Sequence, residues 1–161
     1  MITIEKSLKH MAWSNQKIFA ELSTFPGDIY FLRATEGEWP VGKILNHFIG
    51  SAEWYRFLLT EKPWRDNPKI TNAQTLLELQ EYLAELDDLL LKEASKPDSE
   101  ITFKGEDGNL HRTSRSLVLS HLPLFCIQTL HDAQPAIAQQ GHFVDDGFKV
   151  NHFVLTIHIF F

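Results

Sequence analysis

Residues 73–94 read AQTLLELQEYLAELDDLLLKEA. Within them Leu76, Leu79, Leu83, Leu86 and Leu90 keep a strict 3-4 alternation, which is one face of an amphipathic helix. Lys96-Pro97-Asp98 closes the segment, since proline cannot continue a helix cheaply. Working outward toward the N-terminus, Val41, Leu45, Phe48, Ala52, Tyr55 and Leu59 form a similar stripe. That second helix spans about Val41–Thr60, with Ile44, His47, Ser51, Trp54 and Leu58 beside the stripe, so a wide buried face is expected. Pro63 and Pro68 mark the loop after it. Earlier still, Ile4, Leu8, Met11, Asn15, Ile18 and Leu22 step 4-3-4-3-4 as the seam of a first helix, which Phe25-Pro26-Gly27-Asp28 ends.

Downstream of residue 94 the pattern changes. Ile101 and Phe103, then Asp107-Gly108, then Asn109-Leu110-His111 predict a short β-hairpin turning at Asp-Gly. A fourth helix begins near Ser114 or Ser116 and carries Leu117, His121, Leu124, Gln128 and His131 at bundle spacing. Pro123 and Pro135 each remove a backbone donor there. The segment is therefore either a kinked helix or a shorter one running from near Pro123 to near Pro135. The tail, Val150 to Phe161, alternates as a strand would. Three strong helices, a weaker fourth and a hairpin before it predict an all-α fold, an up-down-type four-helix bundle. Residues 1–161 are read as one domain with a divergent tail at 142–161.

Composition narrows the function classes. The chain has 161 residues, of which 43% are hydrophobic and 22% charged, one domain's worth of sequence. A single cysteine, Cys126, excludes an internal disulfide framework and a Cys-rich zinc module. Fifteen Lys and Arg against twenty-one Asp and Glu give a net charge of −6, which disfavours a nucleic-acid-binding surface. The first residues carry no long apolar stretch of the secretory kind, and no apolar run reaches the length of a membrane span. A soluble, cytoplasmic protein is the expectation.

Eight histidines are the unusual stock. His10, His111 and His142 lie in polar settings and are expected to be solvated. His47 falls inside an apolar helical stretch, where a hydrogen-bonded core histidine is commoner than a metal ligand. His121 and Gln128 project within about 20° of each other on a helix, and His131 follows one turn on. Such a stripe is either a solvated face or, because Val118, Leu122 and Phe125 supply a separate apolar stripe, the wall of a polar pocket. Asn15 occupies a seam position where an apolar residue is expected; it is either a register-setting buried asparagine or a hydrogen-bond partner for a site group. Cys126, between Phe125 and Ile127, reads as a buried small hydrophobe. G-x-S-x-G, P-loop, G-x-G-x-x-G and H-E-x-x-H motifs are absent.

Trp13-Ser14-Asn15 in the first helix and Gly42-Lys43-Ile44-Leu45-Asn46-His47 in the second resemble the motifs of the DinB/YfiT-like metalloenzyme family. The order of third helix, hairpin and fourth helix is similar too, so the resemblance covers about residues 5–141. It implies a divalent metal, zinc or nickel, held by histidines in a bundle pocket, and a homodimer acting on a small molecule. A low-molecular-weight thiol cofactor and transferase or hydrolase chemistry are also implied. Carried over residue by residue, the metal ligands are His47 and His131, with His121, Asp132, Gln128, His152 or His158 as additional candidates and Asn15 behind them. The fourth-helix signature departs from the family pattern. In the register that keeps Leu124, Phe125, His131 and Gln134, the other ligand position is Ile127; a register begun from His121 puts Phe125 and Thr129 at the two ligand positions. Two functions follow as expectations: a metal-dependent enzyme with a rebuilt site, or a degenerate binding or stress-response protein without stoichiometric metal.

Overall fold

A computed structural model describes residues 2–105 and 107–141. Four helices carry the fold: α1 (Ile4–Leu22), α2 (Val41–Thr60), α3 (Ala73–Ala94) and α4 (Arg115–Ala138). A two-stranded antiparallel hairpin, β1 (Glu100–Lys104) and β2 (Leu110–Ser114), precedes α4. Its register pairs Glu100 with Ser114 and Lys104 with Leu110, and Gly108 takes the left-handed conformation at φ +78° that the turn needs. The strand expected at 150–161 lies outside the described residues.

Side chains start three of the helices. Thr3 accepts from the Lys6 N–H, Asn72 from the Thr75 N–H and Ser114 from the Leu117 N–H, each satisfying a donor that the first turn leaves open. The Ser114 cap fixes where α4 begins. From there α4 continues through both Pro123 and Pro135 as one helix rather than breaking at them. Its buried face (Val118, Leu119, Leu122, Cys126, Leu130, Ala133 and Ile137) offsets the roughly 3 kcal/mol that an interior proline costs.

Of the consecutive helices, α2 and α3 pack side by side, whereas α1 and α2, and α3 and α4, do so little or not at all. α1 packs chiefly on α3 and then α4, and α2 chiefly on α4 and then α3. The order round the bundle is therefore α1-α3-α2-α4, with α1 and α2 on one diagonal and α3 and α4 on the other, so the connections 23–40 and 95–114 cross it while 61–72 joins neighbours. The core between them is built from Leu8, Ile18 and Phe19 of α1, Leu45, Phe48 and Ile49 of α2, Leu76, Leu83 and Leu90 of α3, and Leu122 of α4.

α2 also anchors the connection 61–72 that leads to its neighbour α3. Glu53 has no exposed surface, yet its carboxylate accepts from Arg56 Nε at 2.6 Å, the Tyr82 hydroxyl at 2.5 Å and the Arg65 N–H at 2.8 Å. Burial alone would raise its pKa; those donors outweigh burial and hold it below the ordinary range. Arg56 continues to the Pro63 carbonyl at 2.7 Å, and the Arg65 guanidinium lies over the Tyr82 ring. One turn before the middle of α2, the Asn46 amide closes the far end of the same connection. It donates to the Pro68 carbonyl and accepts from the Ile70 N–H, both at 2.8 Å. Gly42 permits the approach, since a Cβ there would stand 2.3 Å from the Ile70 carbonyl oxygen.

Glu53→Ala leaves the buried Arg56 without its partner and should destabilise the fold by about 3–5 kcal/mol, read from urea denaturation. An Asn46→Ala variant should lose about 1–3 kcal/mol by the same measurement, because it strands the Ile70 N–H and the Pro68 carbonyl.

Candidate functional site

The stripe Leu117, His121, Leu124, Gln128 and His131 points outward along its whole length: all five residues are exposed. Of the two readings of that stripe, the solvated face is the one the packing shows. His47 is exposed as well, so it is neither a core histidine nor part of an interior pocket. The wide buried face expected of α2 turns the other way. Ile44 and Leu58 are buried with the main stripe, but His47 and Trp54 face out, while Glu53 and Arg56 go in.

The outer faces of α2 and α4 meet in a row of rings. The His47 imidazole stands edge-on to Trp39 at 5.3 Å and to Phe125 at 5.6 Å. Phe125 in turn lies 6.4 Å from the Tyr55 ring. The Tyr55 hydroxyl bonds His121 Nδ1 at 2.5 Å. Tyr55 is itself buried, and burial, then the neighbouring Cys126 thiol, push its pKa up to about 12. The phenol thus stays protonated, which suits it to donate to Nδ1 and to hold the imidazole in one orientation. Sequence reasoning counted Tyr55 only as an apolar seam residue. Its hydroxyl carried no signal until α4 was placed opposite it.

Phe125 is therefore an α4 residue that meets His47. His131, six residues beyond Phe125, is turned about 120° from it around the helix axis. Ile127, half-buried, is turned still further. Gln128 and Asp132 are exposed on α4. Phe125 neighbours both the His47 ring and the Tyr55 ring, so in the row of contacts it stands between His47 and the His121–Tyr55 pair. Among the described residues, no group of three or more His, Cys, Asp or Glu side chains could hold a metal ion. A catalytic metal needs about three protein ligands and an open position. The candidates His152 and His158 lie outside the described residues.

Asn15 lies elsewhere. It is buried in the bundle, and its Nδ2 donates to both oxygens of Asp87 at 3.1 and 3.3 Å, away from the histidine row. Asp87 was not singled out by its sequence, although it stands four residues after Leu83 and three before Leu90, on the α3 seam. His10 is exposed and stacks on Trp13, and His111 is exposed and pairs with Asp107 at 2.9 Å. Both match the expectation of solvated histidines, while His142 lies outside the described residues.

The ring row runs on into a cavity. Trp54 stands at 79° to Tyr55 and at 89° to Phe103 of β1, with centroids 5.4 and 5.7 Å apart. Trp54, Phe103, Lys104, Gly105 and His111 line a cavity of about 310 Å³ between α2 and the hairpin. Two rings at right angles form a corner in which a planar molecule can stack on one and lie edge-on to the other. Gly105 belongs to this corner, because a Cβ there would meet His111 Nε2 at 2.6 Å.

No family model, curated protein or solved structure matches the chain.

Tyr55→Phe should free the His121 ring. Nitrogen-15 NMR should then show Nδ1 losing its hydrogen-bonded shift and the two imidazole tautomers becoming mixed, with a stability loss of about 0.5–1.5 kcal/mol.

Proposed function

We propose that this chain is a DinB-like helical-bundle protein that binds a small planar molecule on its α2–α4 face without holding a stoichiometric metal ion. The observation that carries this reading is Phe125, an apolar ring seated between His47 and the His121–Tyr55 pair. Phenylalanine offers no lone pair to a cation but contributes a face or edge to a stacked ligand. Trp39 and Trp54, 44% and 40% exposed, extend the same surface, and the cavity at Trp54 is of the size of the smaller ligand pockets. The net charge of −6 argues for a small-molecule rather than a nucleic-acid partner. A homodimer belongs to the proposal as well, since Leu117 and Leu124 expose 60% and 50% of their surface on the same side of α4.

A second reading is favoured by one contact. If His121 Nδ1 carries the proton and gives it to the Tyr55 oxygen, Nε2 is free, which is how outer partners orient metal-ligating histidines. The chain would then be a metal-dependent enzyme of transferase or hydrolase type with a rebuilt site that includes His47 and His121. A thiol cofactor would belong to that reading alone.

Elemental analysis separates the two. Protein made without a histidine tag, incubated with excess Zn²⁺ and dialysed, should retain far less than one ion per chain. About one Zn, Ni or Fe per chain, lost in His47→Ala and His121→Ala, would overturn the proposal in favour of the enzyme. On the binding side, Trp54→Ala should weaken anilinonaphthalenesulfonate binding at least several-fold. Equal binding by both proteins would remove the cleft from the proposal.

A further inference from the structure

Asp87 is 4% exposed in the middle of the bundle, on a seam otherwise made of leucines. Among the described residues, none of the ion pairs involves it. Its two oxygens share the Nδ2 group of Asn15, itself 1% exposed. From α4 the buried Cys126 thiol adjoins it, and burial, then the Asp87 carboxylate, push that thiol's pKa up. From α2 comes Tyr55, next to Cys126 and protonated at neutral pH. On α3 itself Asp88 adds a like charge. Among the described residues, the groups that act on this carboxyl or adjoin it are thus one amide, one thiol and one anion, with no cation, and the Tyr55 phenol stands behind the thiol. Every other buried carboxylate of the bundle is differently placed: Glu53 has Arg56, and Glu93 has Arg115 and Lys96.

We propose that the Asn15–Asp87 pair is a proton-binding site in the bundle core, and that losing its proton loosens the bundle as the pH rises toward neutrality. A charge without a counter-ion in a low-dielectric interior is costly, and binding a proton removes that cost. Burial foremost, with Asp88 adding to it and the Asn15 amide opposing, raises the Asp87 pKa from 3.8 to about 7. The sign follows from linkage. In the unfolded chain this carboxyl ionises near its ordinary value, whereas in the bundle it keeps its proton until about pH 7. Its stabilising contribution is complete below the unfolded pKa, is lost between about pH 4 and 7, and does not change further above that.

The test compares wild type with Asp87→Asn, a neutral mimic of the protonated acid, by urea denaturation from pH 5 to 8.5. Relative to the variant, the wild-type unfolding constant should rise by close to tenfold per pH unit up to about pH 7 and then run parallel. Curves that stay parallel over the whole range would overturn the proposal. Carbon-13 NMR of the Asp87 carboxyl in the wild-type protein decides the matter even if the variant fails to fold. A midpoint near 7 that moves upward in Asn15→Ala supports the site, because the Asn15 donor favours the ionised form. A midpoint below 5 refutes it.

Discussion

The rest of this structure depends on Glu53 and the donors gathered around it. Two of the three helix connections, 23–40 and 95–114, join helices on the diagonals of the bundle, and the third, 61–72, joins the neighbours α2 and α3. The segment 61–72 has little apolar surface of its own to hold it down. The buried carboxylate supplies that hold. It ties Arg56 of its own helix, Tyr82 of α3 and the Arg65 backbone to one point, and Arg56 passes the link to Pro63. Asn46 and Gly42 fasten the other end. With both ends fixed, α2 is committed in rotation, and its outer residues, His47 and Trp54 among them, are presented rather than buried.

That commitment explains what was legible in the sequence. The helices and the hairpin were readable because apolar spacing, caps and an Asp-Gly turn are local signals. The facing of α2 was harder to read. Its apolar residues cover most of the helix, so the decision between burying His47 or Glu53 falls to partners that are distant in sequence, Tyr82 at 29 residues and Ile70 at 24 from their contacts. The Leu45-Asn46-His47 motif looked like a functional unit, yet its asparagine is a clamp for the loop that leads to α3. Asn15 was legible as a buried polar residue, while Asp87 was hidden by the general acidity of α3. The extent of α4 was the least legible feature, because local propensity at Pro123 and Pro135 opposes the tertiary packing that wins.

The proposed binding face is a by-product of the same geometry. α2 and α4 pack together with their polar-aromatic stripes outward, so the rings of Trp39, His47, Phe125, Tyr55 and His121 line up across the two helices. Phe125 is the residue on which the functional reading turns. An imidazole at that point would adjoin His47 and stand one helical turn from His121; a phenyl ring keeps the two apart.

Zinc titration of Phe125→His beside the wild type, followed calorimetrically, tests this most directly. The account predicts about one tightly held zinc ion per chain in the variant, abolished by adding His47→Ala, and no stoichiometric binding by the wild type. Equal binding by both proteins, or none by a folded variant, would contradict it.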